Sequence, residues 1–111
     1  MFECKRTGAV DTISAALPII QDHHDEFQRI IEICFGHGQP RIVLDLRSTP
    51  LIDSHGLESI LNLRDRCQRL GGTVVIARPN PLCSDILRIN GLNRELNIFE
   101  DYVEALGSFS R

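Results

Sequence analysis

The chain has 111 residues, enough for one domain that can hide most of its apolar surface without covalent staples. Apolar types make up 42% and the net charge is only −3, which excludes disorder as the main state. Fifteen acidic residues against twelve basic ones, with no basic stripe, argue against a nucleic-acid or membrane-surface partner. No apolar run approaches the ~20 residues that a bilayer span needs. Met1 to Arg6 carries charges where a signal peptide would hold its apolar core, so a soluble, cytoplasmic protein is expected.

Residues 1–8 read as a lead segment, loose or pairing at an edge. Ala9 to Ala16 reads as a strand, with Val10, Ile13 and Ala15 at apolar positions. Leu17 to Ile20 leads into a loop, and Asp22 stands where an N-cap would. Phe27, Ile30, Ile31 and Cys34 follow at i, i+3, i+4, i+7, one stripe of a helix stopped by Gly36 and Gly38. Arg41 to Leu46 is a nearly continuous apolar run, as in a central parallel strand covered on both faces. After Ser48-Thr49-Pro50 a second helix opens near Asp53-Ser54, with Leu57, Ile60, Leu61, Cys67 and Leu70 inward and Gly71-Gly72 at its end.

Thr73 to Ala77 reads as another buried strand and Pro79-Asn80-Pro81 as a rigid loop. Leu82 to Asn90 reads as a short helix with Leu82, Ile86, Leu87 and Ile89 inward. Leu96, Ile98 and Phe99 suit a last short strand. Asp101 and Glu104 form a capping-box-like pair for a terminal helix through Leu106, ended by Gly107. The boundaries follow: a lead at 1–8, one domain over 9–107 and a tail at 108–111. The alternation of strand and helix points to an α/β sandwich with a mainly parallel sheet. Sites on such sheets gather at the carboxyl ends of the strands, which is where Asp53 to Gly56 lies.

The four cysteines, Cys4, Cys34, Cys67 and Cys83, are spaced by 30, 33 and 16, with no close pair of the kind that zinc sites show. Cys34 and Cys67 fall at apolar positions of helical patterns and read as buried free thiols. Disulfides would suit a secreted chain, for which no export signal is seen. Adjacent helix residues point about 100° apart, so His23 and His24 do not form a two-ligand face. No metal site and no cofactor are expected. No nucleophile, histidine and carboxylate stand at a recognisable catalytic spacing, so no enzyme is expected either.

Ser54 sits at or next to the start of the second helix. The first amides of a helix lack intrahelical partners and the macrodipole is positive there. A serine hydroxyl can cap those amides, and a phosphate on the same oxygen would meet the same donors. Asp53 pulls the other way, since a phosphoserine of about −2 repels a neighbouring carboxylate. Capping alone and phosphate acceptance both remain open on these residues.

The stretch from Arg41 to Leu106 resembles the STAS domain, the family of sulfate-transporter and anti-sigma-factor-antagonist domains. The matching marks stand in order: the apolar strand ending Asp45-Leu46, then Ile52-Asp53-Ser54-x-Gly56-Leu57, then Gly71-Gly72 before Thr73 to Ala77. The Pro79-Asn80-Pro81 loop and Ile86-Leu87-x-x-x-Gly91-Leu92 complete the set. The resemblance implies a four- to five-stranded, mostly parallel mixed sheet packed with about four helices. It also implies an anti-sigma factor antagonist that binds an anti-sigma factor with serine kinase activity. Phosphorylation of Ser54 would end that binding, and a PP2C-type phosphatase would reset it. Asp53, Ser54, His55, Gly56 and Leu57 would meet the partner, with Gly56 letting its backbone approach and Leu51, Leu57 and Ser59 as contact edges. Asp22 is the nearest match to the family's early aspartate, although the Gly-x-Leu-Asp turn is not cleanly present. His55 stands where the family often has Ser or Thr.

Two other readings fit parts of the sequence. The family also includes interaction subunits of transporters and sensory complexes that use much the same surface. The segment around Asp45 looks superficially like a receiver domain with Asp45 as acceptor. A receiver needs an acidic cluster after its first strand and a late lysine, whereas Ala9 to Ile20 offers only Asp11 and the sole lysine is Lys5.

Overall fold

The structure is a computed structural model and describes residues 1–110. Its core is a five-stranded sheet in the order β1-β2-β3-β4-β5. The strands are β1 Phe2–Thr7, β2 Val10–Ala15, β3 Arg41–Asp45, β4 Thr73–Ala77 and β5 Ile98–Phe99. β1 runs antiparallel to β2 and every other neighbour is parallel. Among the described residues, α1 His24–Cys34, α2 Ser54–Arg69 and α3 Pro81–Ile89 connect the parallel strands in turn, and α4 Tyr102–Gly107 follows β5. The mixed, mostly parallel α/β arrangement matches the expected fold.

Strand alternation sorts the core into two layers. Ile42 and Leu44 of β3, with Ile13, Val74 and Ile76, face α1, α2 and α3 through Phe27, Ile31, Ile60, Leu63 and Leu87. Val43 and Val75 face the other way, against Ala105 of α4 and the partly buried Tyr102, Leu106 and Phe109. Both faces of β3 are therefore covered, which is why its run of apolar residues is unbroken.

Several local readings shift. Of the two readings of residues 1–8, pairing at an edge is the one seen: Phe2 to Thr7 pair with β2 in register from Phe2↔Ala15 to Thr7↔Val10, turning at Gly8 with φ +61°. Residues 108–110 form a short 3₁₀ turn whose Phe109 packs on Val43's face, while Arg111 lies outside the described residues. Asp22 does not cap α1. It lies in a 3₁₀ turn, Gln21–His23, and the residue that enters the helix is His23, which makes no side-chain capping bond. The His23 ring instead meets the Pro18 carbonyl at 2.9 Å.

In α2 the buried stripe is Leu57, Ile60, Leu63 and Cys67; Leu61 is half-buried and Leu70, past the last turn, is 52% exposed. In α3 the buried residues are Cys83 and Leu87, while Leu82 and Ile89 lie outward. The apolar residues of this nine-residue helix span an arc wider than one buried stripe, opposite Ser84, Asp85 and Arg88, and its roll is set by contacts made elsewhere. Here Asn80 sets it. Its Oδ1 accepts from the Cys83 amide at 2.7 Å and its Nδ2 donates to the Thr49 carbonyl at 2.9 Å. Asp101 caps α4 as expected, accepting from the Val103 amide at 2.9 Å.

Candidate functional site

The connection from β3 to α2 carries the candidate residues, and three anchors fix its path. Thr49 is buried and its hydroxyl donates to the Ala15 carbonyl at 2.5 Å. The Asn80 amide holds the Thr49 carbonyl from the far side. Ile19 and Ile52 form a one-residue parallel bridge, with Ile19 N donating to Leu51 O at 3.1 Å and Asp53 N to Ile19 O at 3.2 Å. The loop after β2 is thereby stitched to the start of α2.

Asp53, not Ser54, is the N-cap of α2. Its backbone is extended (φ −93°, ψ −179°) and its Oδ1 accepts from the Gly56 amide at 2.7 Å. Its Oδ2 accepts from the Gln21 amide at 3.2 Å, so one carboxylate clamps both segments. The Gly56 amide holds the carboxyl below its ordinary range against an opposing desolvation, and the Gln21 amide and His55 add to the lowering. Asp53→Ala is expected to cost about 1–2 kcal/mol, and Asp53→Asn, which keeps an accepting oxygen, less. The carboxylate's contribution is whole above the unfolded pKa of about 4 and is lost as pH falls through the lowered folded value. Urea unfolding across that acid range should therefore show wild type losing more stability than Asp53→Asn.

With the cap supplied next door, Ser54 becomes the first residue of α2 and its side chain is exposed. The hydroxyl stands at the positive end of a 16-residue helix and, among the described residues, makes no hydrogen bond to a protein group. His55 is half-buried, and its ring meets that of His24 edge-on, with centroids 5.1 Å apart and planes at 79°. A shallow cleft between α1 and α2 runs beside them, lined by Gln21, His24, Asp25, His55, Glu58 and Asn62. Asp22 is exposed on the turn leading to this cleft.

Gly56 and Leu57 are not on the surface. A Cβ at Gly56 would lie 2.0 Å from the Ile19 carbonyl oxygen, so the glycine serves close packing within the chain. Leu57 is 8% exposed and Ser59 5%, leaving Leu51, at 40%, as the exposed member of that set. Asp45 is 7% exposed and tied to Arg78, whose Nε and Nη2 donate to it at 3.2 and 2.5 Å. A carboxylate so held is poorly placed to take a phosphoryl group.

The residues sequence reasoning missed are Gln21, His24, Asp25, Glu58 and Asn62. Glu58 and Asn62 follow Ser54 and His55 at helical spacing on α2, a signal that was available. The other three reach the site through the Ile19–Ile52 bridge, which no local pattern announces. Among the described residues, no three His, Cys, Asp or Glu side chains converge in a way that would hold a metal ion. No helix among them is long and apolar enough to cross a membrane.

Comparison with known proteins places this geometry in a wider set. A structure from Thermotoga maritima assigned as an anti-sigma factor antagonist superposes with a TM-score of 0.90 at 22% identity, over 99% of this chain and 95% of that one. The phosphorylated form of SpoIIAA, a Bacillus cell fate determinant, superposes with a TM-score of 0.73 at 15% identity, over 98% and 99%. The murine anion transporter Slc26a9 matches at 0.77 and 13% identity, over 92% of this chain but only 18% of its own length. At such identities these likenesses establish the fold. Comparison with curated proteins finds no match. The family model for the STAS domain matches residues 3–105, nearly the whole described sheet and its helices, and the chain belongs to the STAS domain family.

Proposed function

We propose that this chain is an anti-sigma factor antagonist. It docks on an anti-sigma factor with serine kinase activity through the face around Ser54, and phosphate transfer to Ser54 ends the docking. The carrying observation is the division of labour at the start of α2: Asp53 does the capping, so the exposed Ser54 hydroxyl is free to be modified without loss of the fold. A phosphate there adds a charge of about −2 beside a carboxylate held ionised by its amide partners. Burying that pair in an interface is costly unless the partner supplies matching donors. The fold shared with a protein known in a phosphorylated form supports the same reading.

On this reading the protein is a substrate and a binding module. Leu51, Asp53, His55 and Asp22 flank the acceptor, and a PP2C-type phosphatase returns it to the docking state. Incubation with the partner kinase and ATP should place one phosphate on Ser54, mapped by fragmentation mass spectrometry, and Ser54→Ala should take up none. Label on another serine, or none on the wild type, would overturn the assignment. A docking role in a transporter assembly is the second reading, favoured by the likeness to the domain within an anion transporter. It predicts capture of transporter subunits with no dependence on kinase or phosphate.

A further inference from the structure

Two thiols remote from Ser54 in role lie against each other. Cys4 is on β1, two residues from Phe2 and therefore on the same face of the sheet, turned toward α1. Cys34 is the last residue of α1 and is fully buried. Their Sγ atoms are 3.5 Å apart across 30 residues of sequence, and both are free thiols. Cys4 is half-buried at the open edge of the sheet, so a small reagent can reach it, whereas Cys34, Cys67 and Cys83 are enclosed. A disulfide needs the sulfurs at about 2.05 Å, so they must close by roughly 1.5 Å. β1 is hydrogen-bonded to a strand on one side only, which leaves it room to follow.

We propose that Cys4 and Cys34 are an oxidisable dithiol, converted by a small disulfide oxidant such as oxidised glutathione into an intramolecular bond that ties β1 to the end of α1. Cys4 loses its proton to solvent and attacks one glutathione sulfur; the glutathione S–S bond breaks and one glutathione thiolate leaves and is protonated. Cys34 then loses its proton and attacks the Cys4 sulfur, and the second glutathione leaves in the same way. Two protein thiols are oxidised by two electrons and one glutathione disulfide is reduced to two thiols. Burial pushes both thiols up; at Cys4 the contact with Cys34 opposes this, the nearby Asp11 carboxylate adds to it and Arg6 opposes it. The exchange is therefore slow, and a long incubation with excess oxidant is the suitable trial.

The test uses the folded full chain with excess oxidised glutathione. The intact mass should fall by about 2 Da with the loss of two free thiols, and a non-reduced digest should join the Cys4 and Cys34 peptides. The melting temperature should rise by at least ~5 °C and return on reduction. Cys4→Ser, at a half-buried edge position, should abolish the mass loss and the rise together; Cys34→Ala provides the same control from the buried side. A stable glutathione adduct on Cys4, a bond involving Cys67 or Cys83, or a link between two copies would overturn the proposal. So would an unchanged mass. None of these outcomes depends on the role given to Ser54.

Discussion

Gly56→Ala should destabilise the chain by about 3 kcal/mol or more, a loss as large as the severe class of core substitutions. The added methyl would sit 2.0 Å from the Ile19 carbonyl oxygen, 2.9 Å from its carbon and 2.9 Å from the Ile52 side chain. The first obstacle is backbone, so no rotamer change relieves it. That carbonyl also accepts from the Asp53 amide, and moving it would strain the bridge that joins the loop after β2 to α2. Asp53 would then be drawn from Gln21, and the face around Ser54 would lose its shape along with its stability. Gly36→Ala is the matched control, since nothing lies within 4 Å of a Cβ built there. Urea unfolding midpoints should separate the two variants clearly. A wild-type midpoint for Gly56→Ala would mean that α2 and the Ile19 loop are not packed as described, and would return Gly56 to a surface role.

Ser54→Asp should weaken binding to the anti-sigma partner at least about tenfold, roughly 1.4 kcal/mol, whereas Ser54→Ala should bind as wild type does. The pair separates docking from folding. An aspartate in the first turn of a helix meets the positive end of the macrodipole and is tolerated there. The cap is on Asp53, and among the described residues the Ser54 hydroxyl has no hydrogen-bond partner that either substitution would orphan. Thermal unfolding of both variants should stay close to wild type, so a loss of binding confined to Ser54→Asp reports charge at the interface. Equal weakening by both substitutions would instead point to a hydroxyl contact and remove the electrostatic account.

The layers of the fold were legible because their causes are local. β3 shows its two covered faces as an unbroken apolar run, and Asp101 announces α4 by position. The start of α2 was equally visible, but which residue caps it was not: Asp53 and Ser54 are both good caps, and they stand side by side. Only the extended backbone at Asp53 and the Gln21 amide waiting for its second oxygen decide the matter. The packing role of Gly56 is hidden for a related reason. A glycine after an exposed turn looks like an opening for a partner, and the carbonyl that needs the space belongs to a residue 37 positions earlier. The roll of α3 and the place of β1 likewise depend on Asn80 and on β2, contacts that periodicity does not carry. His24 reached the site by the same route, through the stitched loop before α1.

The account rests on Ser54 acting as a charge switch on a pre-formed docking face, and a paired titration reads that most directly. Unmodified protein and protein phosphorylated only at Ser54 would be titrated calorimetrically into the same anti-sigma partner, with folding of both checked by thermal unfolding. The account predicts that the phosphorylated chain binds at least about tenfold more weakly while unfolding like its unmodified counterpart. Equal affinities for two folded chains would contradict it.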